Sequence, residues 1–390
     1  MKIGLVLPWL LMAKRFEDRI FAPKELFLWL ADGLVERGHE VYVYSANATD
    51  TKARLIPGNA QLEAKDYISI KDIKKKPEEI AALTFARAQS EYEIELTHRA
   101  VIHANKHNLD ILHVYLDNFA HYFAQFCKSP VVFTLHDPVF KENILERLRL
   151  SLFPNFNYIM ISDKQKTTYE SSLHFTSTFT IHHGLEIRNF SYTENPQNYI
   201  AIMGRILPEK GFEDAIQIAT QLNKKLKLAT SKNYLETAYF NTLIKPLLHS
   251  PNIEQMLYLQ ENQKNEFLGL AKAFLFPIKW EEPFGMVMIE AMATGTPVVA
   301  YAQGSVPEIL KDGETGFIVN LSEQDKRGDW IIKKTGTEGL SEAVERIYAM
   351  PQEQYHQMRK NCRLHIERHF TTEKMVNNYE KVYREIIDKQ

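Results

Sequence analysis

Cysteine is scarce in this chain: 390 residues contain two, Cys127 and Cys362. No CxxC pair and no zinc-type cysteine–histidine spacing accompanies them. A disulfide framework and a structural zinc site therefore both lack ligands, and a reducing, cytoplasmic setting is expected. An excess of one charge is also missing, since 47 Lys and Arg face 49 Asp and Glu, for a net charge of -2. No strong field draws the whole molecule to nucleic acid, which is set aside as a partner. The apolar run Ile3–Ala13 is far shorter than the ~20 residues a bilayer-spanning helix takes. It is broken by Pro8, and Lys14, Arg15, Glu17, Asp18 and Arg19 follow without a small-residue cleavage pattern. It reads as a buried first strand, Ile3–Leu7, and a loop rather than a signal peptide. Glycine is absent between Leu7 and Lys24, no GxGxxG follows an expected strand, and no GxxxxGK[ST] occurs. Nicotinamide-dinucleotide enzymes and P-loop nucleotidases are excluded on that ground.

What is present is an ordinary globular balance, 45% hydrophobic and 25% charged, over a length that suits two cores. Short apolar runs alternate with longer helical patterns, the grammar of an α/β fold with parallel sheets. Ile3–Leu7, a helix over Lys24–Glu36 closed by Gly38, and Glu40–Tyr44 form the first β-α-β unit. Further strands are expected at Ile111–Tyr115, Val131–Leu135 and Tyr158–Ile161, with a long helix over Pro77–Lys106. The polar Thr193–Asn198 stretch, with Pro196, reads as a linker. Beyond it come strands at Tyr199–Met203, Lys227–Thr230, Gln255–Leu259, Ala273–Phe276 and Pro297–Tyr301. Helices are expected at Phe212–Leu222, near Phe284–Thr294, and at Glu338–Met350 and Gln352–His369. Two open parallel sheets facing one another would place a ligand cleft at their strand C-termini.

The most informative segment is FPIKWEEPFGMVMIEAMATGTPVVAYAQGSVPEIL, Phe276–Leu310. Glu282 sits before a glycine, Gly285, that lets a backbone approach closely where a helix begins. The first helical N–H groups there lack intrahelical partners and suit an anionic phosphate. Glu290, about a turn and a half into that helix, can accept hydrogen bonds from the vicinal hydroxyls of a ribose. Arg205 and Lys210, in MGRILPEKG (Met203–Gly211), lie just past a strand end, where two cations can neutralise a leaving diphosphate. His136, in VVFTLHDP, immediately follows a buried strand.

These motifs resemble glycosyltransferase family 4, whose members share the GT-B fold of two facing Rossmann-like domains with an inter-domain cleft. Glu282, Phe284, Gly285, Glu290, Ala291, Met292, Ala293, Gly295, Pro297, Val298, Gly304, Pro307 and Glu308 match its signature. The resemblance runs from Ile3 to about Ile386. It implies that Glu282 contacts the donor hexose and Glu290 the nucleotide ribose. Phe284, Gly285 and Met286 join them in donor binding, the last two through their backbone. Arg205 and Lys210 would stabilise the departing nucleotide with no required metal, and His136 would hydrogen-bond the donor sugar or its surroundings. His113 matches a family strand-end histidine, although Tyr115 replaces a residue that is often histidine. His182 and His183, before Gly184, read as structural.

The implied domains are residues 1–193 on the acceptor side, 194–370 on the donor side, and a last helix, 371–390, crossing back to the first. The implied activity is retaining hexosyl transfer from a nucleotide-diphosphate sugar, a UDP-sugar first and GDP-mannose second. The acceptor would be a carbohydrate, a lipid or a small molecule. A nucleotide-sugar-binding protein without transfer, or a phosphorylase or epimerase of the same fold, is the alternative. Two departures bear on this reading. Ala22 and Pro23 stand where the family commonly has a Gly-Gly pair, and Leu228–Ser231 stands where it shows Val-Gly-x-Gly. Lys71, Lys74, Lys75 and Lys76 could touch anionic headgroups at the inner face of a membrane, or form a solvated face beside Glu78 and Glu79.

Overall fold

The computed structural model describes residues 1–16, 22–65, 84–116, 119–138, 144–257, 259 and 261–389. The lysine cluster at 71–76 and the start of the helix expected from Pro77 lie outside them. The chain forms two compact units. The first comprises Met1–Ile161, Lys166–His182 and Thr372–Gln390; the second comprises Ser162–Gln165 and His183–Thr371.

The first unit is built on seven parallel strands: β1 (Lys2–Val6), β2 (Glu40–Ser45), β3 (Arg54–Pro57), β4 (Ile111–Val114), β5 (Val131–Leu135), β6 (Asn157–Met160) and β7 (Ser177–Thr180). Their spatial order is β3-β2-β1-β4-β5-β6-β7. The central strands are buried on both faces, which is why they read as unbroken apolar runs rather than alternating ones. The helix Ala22–Glu36 joins β1 to β2. Ala22 and Pro23 open it, so the amide that proline lacks falls in the first turn, where it would have had no intrahelical partner.

The last helix, Thr372–Asp388, completes this unit. Tyr379 and Tyr383 are fully buried, and the Tyr383 hydroxyl meets His113 Nδ1 at 2.6 Å. His113 Nε2 lies 2.8 Å from Thr134 Oγ1, which the Tyr379 hydroxyl approaches at 3.3 Å. Outside this network, Arg37 pairs with Glu380 at 3.4 Å.

The second unit has six parallel strands: β8 (Tyr199–Met203), β9 (Lys225–Thr230), β10 (Ile253–Leu257), β11 (Ala273–Phe276), β12 (Val298–Tyr301) and β13 (Gly316–Val319). The order is β10-β9-β8-β11-β12-β13. Ile200, Leu226, Leu228, Leu275 and Val299 pack there with Phe212 and Ile216 of the helix Phe212–Gln221 and with Leu340 and Val344 of the helix Gly336–Ala349. The helix Gln352–His369 is tied in by Arg359, which is wholly buried. Its guanidinium donates to the carbonyls of Thr193 at 2.6 Å, Gly269 at 2.8 Å and Ala271 at 3.1 Å. Residues from His183 onward thus belong to this unit, eleven positions before the boundary expected at 194.

Candidate functional site

Both sheets reverse strand order beside their first strand, β1 against β4 and β8 against β11. In open parallel sheets, such a reversal opens a crevice beyond the strand C-termini, where ligands bind. In the second unit the segments leaving β8 and β11 are the two that carry the candidate residues. β8 and β11 are hydrogen-bonded neighbours, so these segments emerge side by side.

The β8 segment is short and pinned. Gly204 N–H donates to the Ala229 carbonyl at 3.1 Å, and Ile206 is fully buried. Pro208–Lys210 forms one 3-10 turn, ended by Gly211 in the left-handed conformation, φ 69°. A Cβ at Gly211 would stand 2.0 Å from the Pro277 carbonyl oxygen, so only glycine lets this turn seat against the β11 segment. The Lys279 amide then donates to the Glu209 carbonyl at 2.8 Å.

That seating brings Lys210 to Glu282. The Lys210 ammonium lies 2.5 Å from the Glu282 carboxylate, with both side chains largely buried. It also stands 4.6 Å from the centre of the Trp280 ring, and the Trp280 indole N–H donates to the same carboxylate oxygen at 2.7 Å. Three groups thus share one point, and the carboxylate is oriented by an ammonium and an indole together. Arg205, five residues before Lys210, is exposed, and its guanidinium has no partner among the described residues.

The loop carrying Glu282 is stitched to the turn after β12. Gly304 N–H donates to the Glu281 carboxylate at 3.0 Å, Ser305 N–H to the Glu282 carbonyl at 3.0 Å, and Ser305 Oγ to the Phe284 carbonyl at 2.8 Å. Arg327 pairs with Glu281 at 2.7 Å and with Asp325 at 2.8 Å. Hydrogen bonds from Arg327 hold the Asp325 carboxyl below its ordinary range. Beneath the loop, Asp214 accepts from Lys279 at 2.7 Å and from the Tyr301 hydroxyl at 2.8 Å.

Gly285, with φ 82°, turns the chain into the helix Met286–Ala293. A positive φ at that position is what allows β11, loop and helix to follow within so few residues. The Met288 amide donates to the Gly285 carbonyl at 3.0 Å, while the first two amides of the helix, those of Met286 and Val287, have no intrahelical acceptor, which leaves donors for an anion. Glu290, fifth in the helix and 12% exposed, pairs with Lys264 at 2.8 Å. The Phe284 ring turns inward and is 2% exposed, against His183 at 5.1 Å and Phe370 at 6.0 Å.

In the first unit, His136 follows β5, half-buried, with its ring 4.6 Å from that of Tyr115. Burial pushes its pKa down to about 4, so the imidazole is neutral near pH 7 and suited to hydrogen bonding. His113 is fully buried with both ring nitrogens engaged, and burial lowers its pKa to about 3. It holds the last helix in place. Of the expected residues, the structure joins Lys210 to Glu282, pairs Glu290 with Lys264, and leaves Arg205 open to solvent; His136 belongs to the other unit.

Two participants escaped sequence reasoning. Trp280 lies two residues before Glu282, on the same loop, and an indole beside a glutamate pair is the signal that could have found it. Lys264 sits in the polar run ENQKNE, where nothing distinguishes it.

Residues 185–365, which contain all of this second-unit constellation, match the family model described as glycosyl transferases group 1. That match spans 181 of the 390 residues, so it marks the second unit as similar to group 1 glycosyl transferases. Among curated relatives, the N-acetyl-alpha-D-glucosaminyl L-malate synthase of Bacillus anthracis is 26% identical over 184 residues. That match spans 46% of this chain and 43% of the relative, so the chain covers less than half of the relative's length. Over whole chains, the sucrose-phosphate synthase of Thermosynechococcus elongatus superposes with a TM-score of 0.72 at 18% identity, covering 100% of this chain and 99% of the other. HepE from Anabaena, solved in complex with UDP and glucose, gives 0.69 at 14% identity, covering 99% of this chain and 100% of its own. These likenesses show the GT-B fold over the whole of this chain.

Proposed function

We propose that this protein transfers a hexosyl unit from a nucleotide-diphosphate sugar to a carbohydrate, lipid or small-molecule acceptor, with retention at the anomeric carbon. The observation that carries the reading is the shared point of Lys210, Glu282 and Trp280 at the reversal of the second sheet, next to the free start of the helix Met286–Ala293. A diphosphate at that helix start would meet the amides of Met286 and Val287 and the two cations Arg205 and Lys210. In this reading Glu282 accepts from sugar hydroxyls, and Glu290 from the ribose. Arg205 and Lys210 supply the positive charge, so the reading needs no metal. A UDP-sugar is the first expected donor, supported by a fold neighbour solved with UDP, and GDP-mannose the second. The absence of cysteine pairing in the sequence supports work in the cytoplasm.

No carboxylate is placed as a nucleophile in this reading. The bond from C1 of the sugar to the diphosphate oxygen breaks, and a bond from C1 to the acceptor oxygen forms on the same face. The acceptor proton passes to the departing phosphate oxygen. His136, neutral near pH 7, would hydrogen-bond the sugar or its surroundings.

The test is a thermal-shift screen with UDP, GDP, ADP and their sugar conjugates, followed by transfer assays with NMR of the product. A ligand at a hundred times its dissociation constant adds ~2.7 kcal/mol to stability. One nucleotide should stabilise the wild type but not Glu290→Ala, and the product should retain the donor anomer. An inverted product would sink the mechanism, and binding without transfer across a broad acceptor panel would sink the activity.

A further inference from the structure

The helix Ile144–Leu152 of the first unit presents its apolar side to solvent. Ile144, Leu145, Leu148 and Leu152 are 72%, 77%, 54% and 57% exposed, whereas Leu150 is 1% exposed. At 3.6 residues per turn the four exposed side chains fall within an arc of roughly 100°, and Leu150 points the opposite way. One leucine thus anchors the helix to its unit, while four large aliphatic groups stand in water at a cost of ~1.5–3 kcal/mol each relative to burial.

The flanks of that arc are basic. Arg149, its Nε buried, borders one side, Arg147 stands beyond Ser151 on the other, and no acid falls within the arc. Glu146, the only acid of the helix, sits toward the back, with its carboxylate 3.4 Å from the Tyr169 hydroxyl. Beyond the helix end, the apolar surface continues to Tyr122, which is 44% exposed and meets Phe153 edge-on at 5.2 Å. An apolar arc edged by arginines, with a phenol at its rim, matches the layering of an anionic lipid surface: acyl chains inside, phosphates at the level of the cations. The charge of the whole chain, -2, supplies no general attraction to anions. None of the described helices is long and apolar enough to cross a membrane.

We infer that the helix Ile144–Leu152 docks the first unit on an anionic lipid bilayer. Leu145 and Leu148 enter the acyl region, and Arg147 and Arg149 engage headgroup phosphates. The inference stands apart from glycosyl transfer and is read by binding alone.

The experiment is co-flotation of the full chain with vesicles of phosphatidylglycerol and phosphatidylcholine, and with phosphatidylcholine alone. The full chain should float with the anionic vesicles. Leu145→Glu with Leu148→Glu should weaken that partition roughly tenfold or more. Arg147→Gln with Arg149→Gln should remove the preference for anionic lipid and its sensitivity to salt. Ile144→Ser with Leu152→Ser gives an uncharged second variant that should also weaken binding, and each melting temperature should stay near that of the wild type. Failure of the wild type to float overturns the inference, as does flotation that both leucine and isoleucine variants retain. Sedimentation showing a dimer that the double glutamate variant dissociates, with no flotation, would assign the face to a second copy of the chain instead.

Discussion

The Lys210 ammonium lies 2.5 Å from the Glu282 carboxylate, although 71 residues separate them in sequence and they leave different strands. The two segments meet because the Gly211 turn seats on the Pro277 carbonyl. Each side chain is the principal partner of the other in a nearly dry setting, so removing one leaves a charge without its counterpart. Lys210→Ala is expected to lower kcat by ~10²–10³, as for loss of one preorganised charge donor. Steady-state kinetics on the identified donor checks this, with Lys210→Arg retaining part of the loss-free rate.

Trp280 orients Glu282 through a single indole N–H. Trp280→Phe keeps the ring beneath Lys210 but deletes that donor. A hydrogen bond to a charged group is worth ~1.5–3 kcal/mol. Turnover should therefore fall roughly tenfold or more, with little change in melting temperature. Kinetics unchanged from wild type would mean that Lys210 alone holds the carboxylate.

Gly211→Ala tests the seating itself. A left-handed alanine costs ~1–2 kcal/mol, and a Cβ 2.0 Å from a carbonyl oxygen forces the backbone apart. The combined loss is expected to be about 2–4 kcal/mol. Urea unfolding measures it, and activity should drop with it, because the residue preceding Gly211 is Lys210.

His113 gives the first unit a dependence on acid. Its pKa is about 3 in the folded chain against an ordinary 6.5, because burial disfavours the charged ring. Between those values the unfolded chain binds more protons, so stability rises with pH there and is lost as pH falls from about 6.5 toward about 3. His113→Gln removes that contribution. The stability gap between wild type and variant, read from urea midpoints, should narrow from pH 7.5 to pH 4. A gap that holds constant would show that His113 does not titrate on unfolding.

Most of the fold was legible because its central strands are buried on both faces and therefore read as unbroken apolar runs. The three strands that escaped each dilute that signal. Arg54–Pro57 and Ser177–Thr180 are half-exposed sheet edges in which polar residues or a proline break up the apolar run, and Gly316–Val319 is four residues long and opens on glycine. At the candidate site, the backbone devices were readable: the Gly285 bend, the helix after it and the cations past β8. Side-chain pairing was not. Nothing local marks Lys264 as the partner of Glu290, or a buried Arg359 as the clasp on three backbone carbonyls, because those relationships exist only once distant segments are packed. The Phe284 ring belongs to the core for the same reason: the aromatic groups that receive it, His183 and Phe370, lie about a hundred residues away on either side.

The helix Thr372–Asp388 is synthesised after every strand of both units, yet it closes the unit that contains β1. Until it emerges from the ribosome, the slots for Tyr379 and Tyr383 stand open and His113 has no hydroxyl for its Nδ1. The second unit, by contrast, has all its strands and its Arg359 clasp beforehand. On this topology the later part of the chain can mature before the earlier one, and an unfinished polypeptide keeps its first sheet unsealed. That open slot is a feature a chaperone or protease could use to tell an interrupted chain from a finished one.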